Sequence, residues 1–189
     1  MKRTFEHLGI QLPDEDMSYP ESLRGYLGRN IWTSTADEIA ADPTKWDVFI
    51  KPKSDLKRFT GKHIRGIADL RNIGDQGRNT PVWVSEPVRF MREWRVFVRY
   101  GRIMGIRPYK GDYRVHYDVA VIESAIRDFA GAPAGYAIDF GVTDDGRTLL
   151  IEVNEGYSIG AYGLYYTDYA KLLSARWAQL TGYEDLCNF

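Results

Sequence analysis

The stretch from residue 135 to 154 constrains the fold most, because it holds two strand-like runs separated by a strong turn signal. The runs GYAIDFGV and RTLLIEVN are rich in aliphatic, aromatic and β-branched residues. Between them, Asp145-Gly146 is the favoured dipeptide for a two-residue type I′ turn. The pattern therefore predicts an antiparallel hairpin in which Asp144 faces Arg147.

This hairpin is expected to gather polar side chains on one face. Counting outward from the turn puts Asp139 directly opposite Glu152 and Ala137 opposite Asn154, and the period-2 alternation of strands puts the two acids and the amide together. The other face is predicted to be apolar and to contain Tyr136, Ile138, Phe140, Val142, Leu149, Ile151 and Val153.

Two facing carboxylates need an explanation, since like charges directly opposite each other destabilise a sheet. A divalent cation would offset the repulsion, and oxygen ligands at about 2.0–2.1 Å suit Mg²⁺. Asp139, Glu152 and Asn154 are therefore a candidate metal site. The alternative is an exposed sheet face on which both acids are simply hydrated, and the residues alone leave both interpretations open.

The remaining pattern predicts an α+β fold with mostly antiparallel strands. Further strand-like runs are WDVFIKP, PVWVSEPV, EWRVFVRY and RIMGIRPY, and the long helical patterns are confined to residues 118–130 and 167–180. Many strands in hairpin order with few helices are typical of an antiparallel α+β architecture and not of a doubly wound sheet. Residues 1–45 are mostly polar, with short helical patterns around residues 21–27 and after Thr35, which predicts an N-terminal arm of short helices.

Composition narrows the classes of function. The 189 residues carry a formal net charge of -1 with a pI near 6.3, which argues against a nucleic-acid or anionic-membrane partner. The single cysteine, Cys187, excludes an internal disulfide and predicts a reducing, cytoplasmic location. No stretch approaches the length of a membrane span or a signal peptide. His7, His63 and His116 lack ligand spacing, so a zinc site is not expected.

A basic segment follows the first long strand. FIKPK ends an apolar run in Lys51-Pro52-Lys53, and a lysine at a strand end can reach a phosphate as a point charge. The alternative is a solvated basic loop between strands.

A second hairpin is predicted in EWRVFVRYGRIMGIRPYK, with Gly101-Arg102 as its two-residue turn. Arg95 would then share a face with Phe97 and Arg99, either as exposed decoration or as a phosphate anchor. The predicted cross-strand pairs are Tyr100 with Ile103, Trp94 with Tyr109, and Glu93 with Lys110.

The order of these features resembles the ATP-grasp superfamily. The likeness covers about residues 46–180 and is greatest to a small, poorly characterised bacterial and phage branch assigned as carboxylate–amine ligases. It is carried by FIKP, FTGK, VSEPV, EWRVF, IDFGV, LIEVNEG and GAYGL. The resemblance implies two small lobes, 46–90 and 91–189, whose mostly antiparallel sheets clasp a nucleotide, after a helical arm over 1–45 that is too short for the usual N-terminal accessory domain.

The resemblance also implies roles for individual residues. Lys51 and Arg95 would be the catalytic cations that contact the phosphates of ATP, and Asp139, Glu152 and Asn154 would hold Mg²⁺. The remaining nucleotide contacts would come from Lys53, Glu86, Val88 and Arg29, with Glu86 accepting from the adenine amine and Val88 contributing backbone. The basic loop SDLKRFTGK would grip the nucleotide with Lys57 or Arg58.

Such enzymes join a carboxylate to an amine through an acyl phosphate. We expect the glycine- and tyrosine-rich loop after Glu152 to border the acceptor pocket, with Ser158, Gly160 and Tyr162 contacting substrate; the alternative is a connector that packs under the last helix. The substrates would be small molecules or peptides. The short N-terminal arm leaves room for a protein partner or a homodimer. A kinase-like phosphoryl transferase of the same fold and a non-catalytic ATP-binding module are the competing hypotheses.

Overall fold

Two four-stranded antiparallel sheets form the framework of the protein, each in its own compact unit. The structure is a computed structural model that describes residues 2–13, 16–53, 59–71, 73 and 79–189. One unit contains Arg29–Val88, and the other contains Met1–Gly28 together with Arg89–Phe189. The predicted α+β class and its mostly antiparallel sheets are confirmed.

The strands alternate with few helices. The strands are β1 Ile31–Thr35, β2 Val48–Pro52, β3 Lys62–Ile64, β4 Pro81–Ser85, β5 Phe90–Arg99, β6 Arg102–Gly111, β7 Gly135–Thr143 and β8 Thr148–Glu155. The α-helices are α1 Lys2–His7, α2 Ala36–Ala41, α3 Val119–Asp128 and α4 Tyr166–Thr181, and short 3-10 helices cover Glu21–Tyr26, Pro43–Lys45 and Ile67–Leu70. Within the described ranges, no helix has the length and apolarity needed to cross a membrane.

The unit Arg29–Val88 is built on a sheet with strand order β1-β4-β2-β3. Its core lies on one face of that sheet, and each fully buried aliphatic side chain there contributes about 1.5–3 kcal/mol relative to exposure. The buried members include Ile39, Val48, Ile50, Ile64, Val82 and Val84. Helix α2 begins where predicted, after Thr35, whose hydroxyl caps the helix by accepting from the Glu38 amide at 3.3 Å.

Strand β1 was not anticipated, because residues 1–45 were expected to be helical. Residues 31–35 instead pair antiparallel with β4, with Trp32 opposite Val84. The segment IWTST is rich in β-branched, aromatic and hydroxyl side chains, which suits an edge strand. Five residues whose partner strand is distant in sequence are too few to show a strand periodicity. Residues 29–45 consequently lie in the same compact unit as β2 to β4.

The second sheet has the order β6-β5-β7-β8 and two differently covered faces. One face is packed against α3 and its flanking loops: the Phe129 ring meets Tyr136 edge-on at 5.2 Å, and Tyr117 meets Trp94 at 5.1 Å. Asp118 caps α3 as predicted, accepting from the Ala120 amide at 2.9 Å.

On the other face, α4 covers one half of the sheet. Leu172 of this helix packs in a cluster with Phe97 and Ala137. At the end of β8, Glu155 accepts from Arg176 of α4 at 2.5 and 2.6 Å, a two-bond contact that anchors the helix to the strand. The other half of this face begins at the next pair of residues on the same side of the sheet, Arg95 of β5 and Asp139 of β7.

The β7–β8 hairpin has the predicted central register, but two errors in the prediction cancel. The turn is one residue longer than expected: the Thr143 amide donates to the Arg147 carbonyl at 3.0 Å, so Thr143 and not Asp144 faces Arg147. A β-bulge at Ile151 then adds one residue to β8 and restores the pairing of Asp139 with Glu152. Between the turn and the bulge, Leu150 lies opposite Phe140 on the apolar face, so the prediction that Leu149 shares this face is wrong.

In the β5–β6 hairpin, too, the turn differs from the prediction and β-bulges restore part of the predicted register. Its turn residues are Tyr100 and Gly101, both with positive φ (48° and 71°), as a type I′ turn requires, and not Gly101-Arg102. Two bulges follow, so the predicted pairs of Tyr100 with Ile103 and Trp94 with Tyr109 are wrong. The observed pairs are Val98 with Ile103, Trp94 with Pro108 and, as predicted, Glu93 with Lys110.

Candidate functional site

Three neighbouring strands of the second sheet bring the predicted polar residues together. The register of β5, β7 and β8 aligns Arg95 with Asp139 and Asp139 with Glu152, so the three side chains lie in one row across the sheet. Asn154 follows two residues along β8, on the same face. The sequence predicts Asp139, Glu152 and Asn154 together on one hairpin and Arg95 on another, and the pairing of β5 with β7 joins them into one cluster.

Arg95 and Asp139 form a buried two-bond ion pair. The Nε and Nη2 atoms of Arg95 donate to Oδ1 and Oδ2 of Asp139 at 2.9 and 2.7 Å. The Asn154 side-chain amide donates to Oδ2 of the same carboxylate at 3.2 Å. Arg95 is 7% exposed and Asp139 is 1% exposed, so the pair is shielded from water. Paired forks of this kind fix the planes of both groups as well as their distance.

Burial dominates the ionisation of this pair. It raises the pKa of Asp139 from 3.8 to about 6, against the opposing effect of the Arg95 guanidinium, and the nearby Glu152 charge acts in the same direction as burial. For Arg95, burial lowers the pKa, but the hydrogen bonds and charge of Asp139 outweigh it and the net direction is upward. Both groups are therefore charged at neutral pH.

Arg107 is a further candidate residue, which the sequence analysis does not identify. It lies directly opposite Arg95 in the β5–β6 register, although the misplaced turn had put Val96 opposite it. Its Nε is buried without a hydrogen-bond partner in the described part of the chain. The guanidinium lies over Gly105, whose added Cβ would be 3.9 Å from Nε and from Nη2. Asp139 neutralises Arg95, whereas the Arg107 Nε remains a buried donor without a partner among the described residues, an arrangement that suits an anionic ligand.

The cluster suits a hard divalent cation in the chemistry of its ligands. Asp139 and Glu152 supply carboxylate oxygens, and because Asn154 uses its amide nitrogen on Asp139, its amide oxygen is the remaining ligand atom. Across the residues that are described, no group of three or more acidic, histidine or cysteine side chains could hold a metal by itself. A Mg²⁺ site here would therefore depend on two carboxylates, one amide and the oxygens of a bound phosphate.

The loop after β8 places one of its three predicted residues on this cluster. The Tyr162 ring lies over the Arg95 guanidinium, with 4.7 Å between the Arg95 Cζ and the ring centroid. Gly160 lies beside that ring, since a Cβ added there would be 3.1 Å from it. Ser158 is exposed. In the same loop the Ile159 carbonyl accepts from the Tyr169 hydroxyl of α4 at 2.5 Å, so part of the loop does pack against the last helix.

The lysines expected to bind phosphate lie in the other compact unit, Lys51 on β2 and Lys53 directly after it. Lys51 is paired with Trp83 of β4, and the Nζ of Lys53 lies 4.8 Å from the centroid of that ring. Both lysines thus border the half-buried Trp83 ring, on the sheet face opposite the Ile50 side. Lys57 and Arg58, the expected loop contacts, fall outside the described residues.

The predicted adenine contacts lie where the chain leaves this unit. Glu86 accepts from both the backbone amide and the side-chain amide of Asn30, at 2.9 Å each, and these bonds hold the pKa of Glu86 below its usual range. Arg29 and Val88 are half-buried and are the first and last residues of the unit. Each oxygen of the Glu86 carboxylate retains a second lone pair for a further donor.

Two sizeable cavities lie away from these residues. One of about 480 Å³ is lined by Trp32, Ile39 and Trp46 in the unit Arg29–Val88. The other, of about 540 Å³, lies beside Tyr100 and Gly182 in the second unit. None of the predicted site residues lines either cavity.

Several solved structures share the fold at low sequence identity. Macrocyclase MdnC bound with precursor peptide MdnA from Microcystis aeruginosa MRC has a TM-score of 0.52 at 19% identity, covering 77% of this chain and 54% of that chain. N5-carboxyaminoimidazole synthetase from Staphylococcus aureus complexed with ADP has a TM-score of 0.56 at 10% identity, covering 87% and 50%. L-amino acid ligase from Bacillus licheniformis has a TM-score of 0.52 at 11% identity, covering 80% and 47%.

This chain spans about half the length of these solved relatives. No protein of curated function matches it significantly. The ATP-grasp domain of R2K clade family 2, in contrast, matches residues 26–172, which is most of the sequence. The chain therefore belongs to family 2 of the R2K clade of ATP-grasp domains.

Proposed function

We propose that the protein is an ATP- and Mg²⁺-dependent ligase that joins a carboxylate to an amine through an acyl phosphate. The observation that carries the proposal is the row of Arg95, Asp139 and Glu152 on one sheet face of an ATP-grasp chain, with the Arg95–Asp139 pair buried and Asn154 and Arg107 beside it. A ligase and a macrocyclase among the chains of similar fold support the same class of activity.

Basic side chains would contact the triphosphate. Lys51 and Lys53 would bind phosphate as point charges, and Arg95 and Arg107 would stabilise the charge that develops on the transferred phosphoryl group. Mg²⁺ held by Asp139, Glu152 and Asn154 would neutralise the phosphate oxygens and orient them.

The base of the nucleotide would be held in the unit Arg29–Val88. Glu86, already oriented by Asn30, would accept from the exocyclic amine of adenine, and the backbone of Val88 would contribute a further contact. Arg29 would add a positive charge at the start of the unit. An oriented acceptor costs little conformational entropy on binding, which favours Glu86 for this role.

The reaction would proceed in two displacements. A carboxylate oxygen of the first substrate attacks the γ-phosphorus of ATP, the bond to the β,γ-bridging oxygen breaks, and ADP leaves. A neutral amine then attacks the acyl carbon, the bond from that carbon to the phosphate oxygen breaks, inorganic phosphate leaves, and the nitrogen loses a proton. The protein's contribution is positioning and charge stabilisation.

The acceptor is proposed to be a small molecule or a peptide that approaches along the loop containing Ser158, Gly160 and Tyr162. The glycines of this loop permit close backbone approach, and the exposed tyrosines offer flat amphipathic surfaces. The lone cysteine is consistent with a cytoplasmic protein. A protein partner or a second copy of the chain would supply any part of the acceptor site that this chain lacks.

The stoichiometry of product release tests this proposal. The protein is incubated with Mg·ATP and mixtures of carboxylates and amines, and ADP and inorganic phosphate are measured separately. A ligase releases ADP and phosphate in equal amounts, and only when a carboxylate and an amine are both present. ADP release without phosphate, with a single hydroxyl acceptor, would instead identify a kinase-like transferase. Tight Mg·ATP binding without turnover in any mixture would identify a non-catalytic module.

A further inference from the structure

Tyr162 has a strained backbone at the position where it meets Arg95. Its φ of 43° lies in the left-handed region, which a bulky residue adopts at a cost and only where its surroundings enforce it. The next residue, Gly163, also has positive φ (79°), so the turn itself calls for glycine-like geometry. A tyrosine at such a position implies that the ring is needed there.

The Tyr162 ring is held from two sides. Its face lies over the Arg95 guanidinium, 4.7 Å from Cζ to the ring centroid, which is a favourable cation–π distance. Its other neighbour is the Tyr109 ring, with centroids 5.2 Å apart and planes inclined by 49°. Arg95 is thereby enclosed by Asp139 in the plane of the guanidinium and by Tyr162 on its face.

Tyr109 reaches this position because of a β-bulge. Trp94 of β5 pairs with Pro108 and Glu93 pairs with Lys110, so Tyr109 is the extra residue of β6 between them. Bulges re-aim the side chain of the extra residue and often lie beside functional sites. A regular β6 would not carry this unpaired residue beside the loop that contains Tyr162.

We propose that Tyr162, supported by Tyr109, is a positioning residue that holds the Arg95 guanidinium on Asp139. The pair forms an aromatic cap that restricts the rotation of the Arg95 side chain and keeps water from its donors. Cation–π contacts strengthen as they are desolvated, and Arg95 is buried under this ring. The consequence for nucleotide binding rests on the function proposed above, whereas the cap itself does not.

The cap is tested without any ligand by NMR on the 15N-labelled protein. The Arg95 Nε–H donates to Asp139 and is expected to exchange slowly with water. Replacing the ring through Tyr162→Gly or Tyr162→Leu should speed that exchange by about tenfold, the order expected when a desolvated cation–π contact is lost. Tyr162→Phe keeps the ring and should exchange like the wild type. Unchanged exchange in both ring-less variants would overturn the cap.

Tyr100→Gly is a matched control from elsewhere in the same unit. Tyr100 also has a left-handed backbone (φ 48°) and also covers an arginine, Arg99, which pairs with Asp185. Tyr162→Gly and Tyr100→Gly should both relieve backbone strain. A general change in the stability of the protein therefore does not explain a functional difference between the two variants. Only Tyr162→Gly should change the exchange of the Arg95 Nε–H.

Calorimetric titration with Mg²⁺ and a non-hydrolysable ATP analogue then connects the cap to function. Affinity should fall several-fold in Tyr162→Gly and stay at the wild-type value in Tyr100→Gly. Wild-type affinity in a variant with fast Arg95 exchange would overturn the positioning role. A wild-type protein that binds no nucleotide while the exchange result holds would refute the proposed function and leave the cap intact.

Discussion

Arg95 and Asp139 are cross-strand partners joined by two hydrogen bonds of 2.9 and 2.7 Å inside a nearly dry part of the second sheet. This relationship determines how the candidate site responds to substitution. Each group compensates the charge of the other, so removing one leaves the other buried and unpaired. Replacing both residues by apolar side chains leaves no unpaired charge.

The first prediction compares the loss of one member of this ion pair with the loss of both. Arg95→Met should lower the free energy of unfolding by about 3–5 kcal/mol, because the buried Asp139 carboxylate then loses its counter-ion. The double substitution Arg95→Met with Asp139→Leu should cost much less, since hydrophobic groups of similar volume often replace a buried pair without loss. Urea denaturation followed by tryptophan fluorescence measures both. Additive losses would show that the two residues do not act as a pair.

The second prediction is a pH dependence. Burial raises the pKa of Asp139 to about 6 from 3.8, so between these values the folded state holds a proton that the unfolded state has lost. The contribution of Asp139 to stability is therefore full below pH 4 and falls as pH rises to 6, by at most about 3 kcal/mol at 1.36 kcal/mol per pKa unit. The difference between wild type and Asp139→Asn, measured by urea denaturation from pH 4 to 7, should show this decline.

Glu86→Gln is a control whose effect on stability should change with pH in the opposite direction. Hydrogen bonds from Asn30 lower the pKa of Glu86, so its contribution is present above pH 4.5 and is lost as pH falls through the lowered pKa. The Asp139→Asn difference should fall with rising pH between about pH 4 and 6, and the Glu86→Gln difference, followed to pH values below 4, should rise with pH. A flat profile for Asp139→Asn would mean that the carboxylate is not desolvated.

The third prediction concerns the facing acids. Glu152→Gln removes the like charge opposite Asp139, so the protein without ligand should melt at the same temperature or slightly higher. Mg·ATP should raise the melting temperature of the wild type by mass action, and this gain should largely disappear in Glu152→Gln. Differential scanning fluorimetry with and without Mg·ATP measures both effects. A drop of several degrees without ligand would make Glu152 a structural residue.

The fourth prediction concerns Arg107. Because its Nε has no partner within the described chain, Arg107→Met should leave the melting temperature unchanged. ATP turnover should fall by one to three orders of magnitude, as for the loss of other donors aimed at developing charge. Arg102→Met, an exposed arginine on the same strand, is the matched control and should keep full turnover. Equal effects of both substitutions would exclude a role for Arg107 in the site.

The fifth prediction concerns Lys51. If it contacts phosphate, Lys51→Ala should weaken ATP binding far more than adenosine binding, because adenosine has no charge for the ammonium group to meet. Lys45→Ala, an exposed lysine of the same compact unit, should change neither affinity. Isothermal titration calorimetry with both ligands measures the difference. Equal losses for ATP and adenosine would assign Lys51 to the fold.

Local sequence patterns determined most of the elements but not the details of pairing. The alternation of apolar residues identified six of the eight strands, and the Asp118 cap marked the start of α3. Strands β1 and β3 were missed because short strands carry little periodic signal and are stabilised by their neighbours. Both hairpin turns were misplaced by one residue, and bulges further along compensated, so Asp139 still faces Glu152.

The sequence by itself determined which chemistry the chain carries: carboxylates and an amide on one strand face, lysines at a strand end, and an arginine among aromatics. Only the tertiary structure decided which of these groups meet. The pairing of β5 with β7 placed Arg95 on Asp139, and one bulge of β6 brought Tyr109 to Tyr162. The observed turn and the other bulge of β6 together put Arg107 opposite Arg95. These contacts join residues distant in sequence through strand register, and a shift of one residue moves a side chain to the other face.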